Sequence, residues 1–144
     1  MSLLVDTSVW SLALRRDRPT ESPEVDALLS ALAGPDIVVT TGLILQELLQ
    51  GFVPDRARAQ IIERFASMPL VEPDRNDYVA GAEVRNECRR AGVQLGTVDA
   101  LIAQLAIRHN HTLLTTDRDF EHAAPHIGLS LWRPERRPRR QPDS

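Results

Sequence analysis

The sequence predicts an α/β domain of three layers, α/β/α, around a central, mostly parallel sheet. Its strands are short apolar runs that do not alternate with polar residues, as in strands buried on both faces. Each run is followed by a segment with helical spacing, the order that a parallel sheet requires. With 144 residues, 42% hydrophobic and 26% charged, the chain has the length and composition of one globular domain.

The first half of the chain contains two predicted strands and four predicted helices. Residues 3–5 form a strand that ends at Asp6, and residues 8–14 have helical spacing. Ser22 and Pro23 start a second helix, which ends at Gly34. Further along, the pattern predicts a strand at 37–40 and helices at 43–52 and 55–68.

The second half also consists of short predicted strands separated by predicted helices. A weak strand at 70–71 precedes helices at 74–90 and 97–108, which Gly92 to Gly96 separate. The last strands are expected at 112–115 and 129–132, with a short helix from Asp119 toward Ala124 between them. Residues 1–132 are therefore predicted to form the domain. Residues 133–144 contain three prolines and are predicted to be a flexible tail rich in arginine and proline.

Charge is unevenly distributed along the chain. Residues 1–132 carry 12 arginines against 18 acids, whereas residues 133–144 carry 5 arginines against 2 acids. The chain contains no lysine, which excludes a Walker phosphate loop and a Schiff-base enzyme. An acidic domain binds RNA phosphates poorly, so Arg15, Arg16 and Arg18 are candidates for a local basic rim.

No segment suggests a membrane or a secretory route. No apolar run approaches the roughly 18 residues of a membrane helix, and the amino terminus lacks a basic region before its short apolar run. Cys88 is the single cysteine, so no internal disulfide can form. We therefore expect a cytoplasmic protein.

Two acidic residues stand at the predicted carboxyl ends of strands. Asp6 closes the first strand, and Asp117 follows the strand at residues 112–115. Ligands bind beyond the carboxyl ends of the strands in such sheets, so neighbouring strands would bring both carboxylates to one edge. This placement predicts a shared site for two acids that are distant in sequence.

Two further acids lie on helix faces that should be buried. Glu47 is about 60° around its helix from Ile44, which is expected in the core. Asp99 is in the first turn of a helix that Thr97 is expected to cap, yet it shares a face with Ile102. A carboxylate on such a face is costly unless something compensates its charge.

Four carboxylates gathered in this way require a counter-ion. Each pair about 5 Å apart would repel by roughly 3 kcal/mol at an effective dielectric constant near 20. Oxygen ligands without histidine or cysteine favour a hard ion, so Mg²⁺ or Mn²⁺ is expected rather than zinc. Such an ion activates water for attack on a phosphodiester, which predicts a metal-dependent nuclease.

Three of the four acids also have a structural interpretation when each is taken alone, whereas Glu47 has none. Asp6 could cap the helix after it, and Asp99 could complement a helix dipole. Asp117 could be a turn residue, with Asp119 as the next helix cap. Only the joint pattern favours a site. The histidines fit no zinc motif and are interpreted as surface or capping residues: His109, His111, His122 and His126.

Four segments of the chain resemble the PIN-domain family, and most closely the VapC toxins of bacterial type II toxin–antitoxin systems. They are LLVDTSVW, LILQELLQG, GTVDALIAQLA and LLTTDRDF, and they cover nearly the whole chain in the family's order. The resemblance implies a PIN-like domain that is an Mg²⁺- or Mn²⁺-dependent endoribonuclease. It also implies an RNA substrate, a homodimer and inhibition by a cognate VapB-like antitoxin.

The resemblance also implies roles for particular residues. The family's acidic quartet is matched by the expected catalytic residues Asp6, Glu47, Asp99 and Asp117. Of these, Asp6, Asp99 and Asp117 are the expected metal ligands. Residues that would support the metal ligands or contact phosphate are Thr7, Ser8, Thr116 and Asp119.

Other classes that place an aspartate after the first strand fit less well. A haloacid-dehalogenase-like phosphatase requires a second aspartate two residues later and a lysine, whereas position 8 is Ser8 and lysine is absent. A response-regulator receiver also requires the lysine. The remaining alternative is a catalytically silent PIN-like module that binds RNA or protein, which a metal titration would distinguish.

Overall fold

A three-stranded parallel sheet surrounded by seven helices forms the part of the chain that the computed structural model describes, residues 1–14, 22–50 and 54–134. This architecture confirms the predicted α/β fold. Arg15, Arg16 and Arg18, and all but the first two residues of the predicted tail, lie outside the described residues. None of the described helices is long and apolar enough to cross a bilayer.

The elements follow the predicted order. The strands are β1 (Ser2–Val5), β2 (Ile37–Val39) and β3 (Thr112–Leu114). The helices are α1 (Thr7–Ala13), α2 (Pro23–Ala33), α3 (Gly42–Leu49), α4 (Asp55–Ala66), α5 (Arg75–Arg90), α6 (Thr97–Arg108) and α7 (Arg118–Ile127). Helix α3 ends earlier than predicted because the backbone at Gln50 is extended (φ −75°, ψ 150°).

The sheet places β1 between β2 and β3, and both pairings are parallel. Leu4 of β1 is in register with Val39 on one side and with Leu113 on the other. Apolar side chains of β1 are buried because helices cover the sheet. The carboxyl ends of β1 and β3 are therefore neighbours, as the placement of Asp6 and Asp117 requires.

Several local predictions are corrected. The strands expected at 70–71 and 129–132 reduce to single bridges, Leu70 with Thr40 and Leu131 with Leu113. Leu70 pairs directly after the end of β2 and Leu131 pairs with β3, and each bridge is made by two backbone hydrogen bonds. The caps differ as well: Gly96, rather than Thr97, precedes α6, and Asp117, rather than Asp119, caps α7.

The core joins the amino-terminal helix to the rest of the domain. Trp10 of α1 is buried, and its ring centroid is 4.9 Å from that of Phe65 in α4. Trp132 is partly buried and packs against the same core. Cys88 is also fully buried, on the inner face of α5. The core thus anchors α1, the helix that directly follows Asp6.

Candidate active site

Asp6 connects the end of β1 to the start of α1 and is only 5% exposed. Two hydroxyls donate to its Oδ2 atom, Ser8 Oγ at 2.8 Å and Thr115 Oγ1 at 2.9 Å. Although Asp6 occupies the N-cap position of α1, its carboxylate makes no capping hydrogen bond. Helix capping therefore does not explain this carboxylate.

Thr115 links Asp6 to Asp117. The Thr115 hydroxyl that donates to Asp6 also accepts the backbone N–H of Asp117 at 3.0 Å. Asp117 in turn accepts the backbone N–H of Asp119 through Oδ1 at 2.9 Å, which caps α7. One hydroxyl thus connects the carboxylate of Asp6 to the backbone of Asp117.

The side chain that contacts Asp6 is that of Thr115 and not that of Thr116. Thr116 is exposed, and it is its backbone N–H that donates to Ser8 Oγ, at 3.1 Å. Sequence reasoning named Thr116 and missed Thr115. The available signal was the adjacent pair of threonines before Asp117, because successive side chains of an extended segment point in opposite directions. The pattern alone does not say which of the two faces Asp6.

Glu47 reaches the same region from α3. Its Oε2 atom accepts a hydrogen bond from Thr7 Oγ1 at 3.1 Å, so the first turn of α1 contacts α3 here. Burial raises the pKa of Glu47; the hydrogen bond from Thr7 opposes this rise and the charge of Asp6 adds to it. Glu47 therefore lies where the sequence predicted, on an inward face and close to Asp6.

Asp99, in the first turn of α6, is partly buried among the other acids. Burial raises its pKa to about 6, and the next causes are the charges of Asp6, Asp117, Glu47 and Asp119, in that order. A group whose pKa responds to four other carboxylates shares one electrostatic environment with all of them. The structure therefore brings the predicted quartet together with Asp119, a set that we call the acid cluster.

The acid cluster is not a completed metal cage. Among the residues that the structure describes, no group of three or more histidine, cysteine or acidic side chains has the arrangement of a metal site. The histidines belong to other parts of the fold: His109 ends α6, and His111 Nδ1 lies 2.7 Å from Ser2 Oγ at the opposite end of β1 from Asp6. Any cation here would be held by oxygen atoms alone.

Comparison with known proteins identifies the family. The PIN domain profile matches residues 3–125. The chain belongs to the PIN-domain family. It is 31% identical over 121 residues to the VapC ribonuclease Mb1587 of Mycobacterium bovis, a match that covers 83% of this chain and 89% of that protein. Ribonuclease VapC11 of Mycobacterium tuberculosis matches to the same extent. This PIN domain is thus a VapC ribonuclease, the toxin component of a VapBC toxin–antitoxin system.

Solved structures share the PIN fold. VapBC2 from Rickettsia felis, bound to a DNA fragment from its promoter, matches with a TM-score of 0.72 and 22% identity, over 92% of this chain and 98% of that one. VapC20 of Mycobacterium tuberculosis, described as a toxin that cleaves the sarcin–ricin loop, matches with a TM-score of 0.68 and 20% identity, over 92% and 99%. At these identities the likeness shows the fold alone.

Proposed function

We propose that this VapC protein is an Mg²⁺- or Mn²⁺-dependent endoribonuclease whose catalytic residues are Asp6, Glu47, Asp99 and Asp117. Asp6, Asp99 and Asp117 would hold the metal ion. The observation that carries the proposal is the Thr115 hydroxyl, which joins the carboxylate of Asp6 to the backbone N–H of Asp117 across the ends of two neighbouring strands. Two acids tied together in this way, with Glu47 and Asp99 beside them, form a site that requires positive charge.

The donor set fits a hard divalent cation. Every candidate ligand is a carboxylate, which suits Mg²⁺ or Mn²⁺ and not a soft ion. Mg²⁺ also keeps several of its water molecules and usually binds one or two carboxylates directly. A cluster that is not a closed cage is compatible with this mode of binding, because some of the acids would act through the water of the ion.

The chain's own side chains prepare the reaction. A divalent cation held by Asp6, Asp99 and Asp117 would supply a water of lowered pKa and positive charge for the phosphodiester. Ser8 and Thr115 hold the carboxylate of Asp6 in one orientation, and Thr7 holds that of Glu47. Such outer hydrogen bonds fix the ligands before substrate arrives and commonly contribute 10–100-fold to activity or metal affinity.

A catalytically silent module is the second candidate. It is favoured by one observation, namely that no described group of three acidic, histidine or cysteine side chains is arranged as a metal site. Isothermal titration with Mg²⁺ separates the two candidates. The nuclease binds Mg²⁺ and loses this binding in Asp6→Asn, whereas the silent module shows no difference between the two proteins.

The partners follow from the family. The solved relatives include complexes of VapC with VapB, so we propose a cognate VapB-like antitoxin, a homodimer and a site of action in the bacterial cytoplasm. An adjacent small reading frame upstream of the gene should encode the antitoxin. Co-expression should give a complex on size-exclusion chromatography, and the chain alone should elute as a dimer.

The direct test is RNA cleavage with and without Mg²⁺. We expect Asp6→Asn and Asp117→Asn to lower the cleavage rate roughly 100-fold or more, since even residues behind metal ligands contribute 10–100-fold. Asp26→Asn is the matched control, because Asp26 is exposed on α2 and is not among the acids that raise the pKa of Asp99. Undiminished cleavage by both active-site variants would contradict the proposal.

A further inference from the structure

A cavity of about 500 Å³ opens beside the acid cluster and is lined by Arg85, Arg89, residues 92–96 and Asp119. We call it the arginine pocket. Its arginines project from the last turns of α5, and its opposite wall is the loop that leads into α6. It therefore combines two cations with an acid from the proposed site.

The arginine pocket adjoins the acid cluster at two points. Asp119 lines the pocket, and its charge also raises the pKa of Asp99. Gly96 lines the pocket too, and a Cβ atom on this residue would stand 3.9 Å from Oδ2 of Asp99. A ligand in the pocket would thus lie directly beside the carboxylates that are proposed to bind the metal.

The two arginines are arranged to receive an anion. They are four residues apart on α5, so they share one face of the helix and repel each other unless an anion lies between them. Arg85 Nε donates to the carbonyl oxygen of Leu95 at 3.0 Å, which holds this side chain against the loop. The side chain of Arg89 has no hydrogen bond or ion pair with any other described residue.

The helix dipole accounts for only part of this pattern. Cations near a helix C-terminus are favourable, and Arg89 and Arg90 both lie in the last turn of α5. Arg90, however, does not line the pocket. The dipole therefore explains positive charge in this turn but not its concentration around a cavity next to five acids.

We propose that the arginine pocket binds a phosphate of the RNA backbone next to the phosphodiester that is cut. This inference rests on the proposed nuclease function and specifies how its substrate is held. A guanidinium group binds phosphate through two parallel hydrogen bonds, and two such groups would provide a local anion site on an otherwise acidic domain. RNA is favoured over an acidic peptide because the pocket lies beside the carboxylates that are proposed to bind the metal ion of a ribonuclease, and the peptide is an outcome of the test below.

The test compares Arg89→Ala with Arg90→Ala in an Asp6→Asn background, by fluorescence anisotropy of a labelled single-stranded RNA in Mg²⁺. Both changes remove one arginine from the same helical turn, but only Arg89 lines the pocket. We expect Arg89→Ala to weaken RNA binding roughly fivefold and to reduce the slope of log K against log salt by about 1. Arg90→Ala should change binding less than twofold, and Arg89→Lys should recover part of the loss.

Three results have distinct meanings. Equal weakening of RNA binding by Arg89→Ala and Arg90→Ala would overturn the proposal, because the loss would then come from the net charge of the helix end and not from the pocket. Loss of decaglutamate binding in Arg89→Ala with unchanged RNA binding would also overturn it, in favour of a protein ligand. RNA cleavage that is undiminished in Asp6→Asn would contradict the nuclease proposal itself. Matching thermal melts confirm that the variants are folded.

Discussion

At the scale of single residues, the hydroxyl of Thr115 has the largest consequence for the site. Thr115 is 9% exposed, and its Oγ1 atom is at once a donor to Asp6 and an acceptor from the backbone of Asp117. A valine here would keep the shape of the side chain and lose both hydrogen bonds. Thr115 therefore couples the stability of the domain to the geometry of its acids.

We predict that Thr115→Val lowers the free energy of unfolding by about 1–3 kcal/mol, because it removes one of the two donors to the buried carboxylate of Asp6 and leaves the backbone N–H of Asp117 without its acceptor. RNA cleavage should fall about 10–100-fold as Asp6 loses its orientation. Urea unfolding and a cleavage assay measure the two effects. Thr116→Val is the neighbouring control for stability, since Thr116 is exposed, and an equal loss of stability in both variants would contradict this account.

The residues of the candidate site were predictable to different degrees. Asp6 and Asp117 could be identified because the carboxyl end of a parallel strand is a position defined by topology. Glu47 and Asp99 could be identified because helical spacing places them on inward faces. Thr115 could not, because a buried threonine and an exposed one look alike in a short extended segment. The arginine pocket could not be identified from the sequence either, since it depends on how α5 packs beside the loop at 92–96.

At the scale of elements, an ion pair between a buried aspartate and an exposed arginine ties the start of α5 to the end of α6. Asp77 is fully buried; its Oδ1 atom lies 2.7 Å from Arg108 Nε, and its Oδ2 accepts from Arg108 Nη2 at 2.7 Å. Asp77 also forms a capping box with Asp74. Burial alone would raise the pKa of Asp77, but the hydrogen bonds from Asp74, Arg108 and Gln104 outweigh it and lower the pKa.

We predict that Arg108→Met lowers the free energy of unfolding by about 1–2 kcal/mol at pH 7, because it leaves the buried carboxylate of Asp77 without its cation, although solvent at the exposed guanidinium screens part of the attraction. Because the folded pKa of Asp77 is depressed, this contribution is present above its ordinary value of 3.8 and is lost as the pH falls through the lowered value. Denaturant unfolding between pH 2 and 7 should show this trend. Arg90→Met, at an exposed position, should cost less than about 0.5 kcal/mol, and a pH-independent cost in Arg108→Met would contradict the assignment.

The bounds of the elements could be predicted closely where the segment with helical spacing of apolar residues was long. Helices α5 and α6 begin and end within a residue of their predicted bounds, because their stripes span several turns. The short apolar runs near Leu70 and Leu131 did not allow their bounds to be predicted. Each forms only one bridge, and a run of two to four residues does not reveal how far its pairing extends.

At the scale of the whole molecule, the acid cluster opposes folding in the absence of a cation. Asp99 has its pKa raised to about 6 in the folded protein, against 3.8 ordinarily. Its contribution to stability is therefore fully present below about pH 3.8 and is lost as the pH rises through 6. Near neutral pH the folded domain carries like charges that only a counter-ion relieves.

We predict that the metal-free protein loses thermal stability relative to Asp99→Asn as the pH rises from 4 to 7, because asparagine mimics the protonated acid. Differential scanning fluorimetry in EDTA measures the difference in Tm between the two proteins at each pH. Mg²⁺ should raise the Tm of the wild type at pH 7 more than that of Asp99→Asn. A difference that is constant with pH, or an equal response to Mg²⁺, would contradict this prediction.

The central position of β1 has a consequence for how the protein is made. The first strand synthesised must wait for β3 to supply its second neighbour, and Asp6 must wait for Thr115, which lies 109 residues later. At about 5–20 residues per second, a ribosome needs roughly 5–20 s to cover that distance. The strand ends that bring Asp6 beside Thr115 and Asp117 therefore cannot assemble until most of the chain has emerged, and products that end before β3 would lack this arrangement.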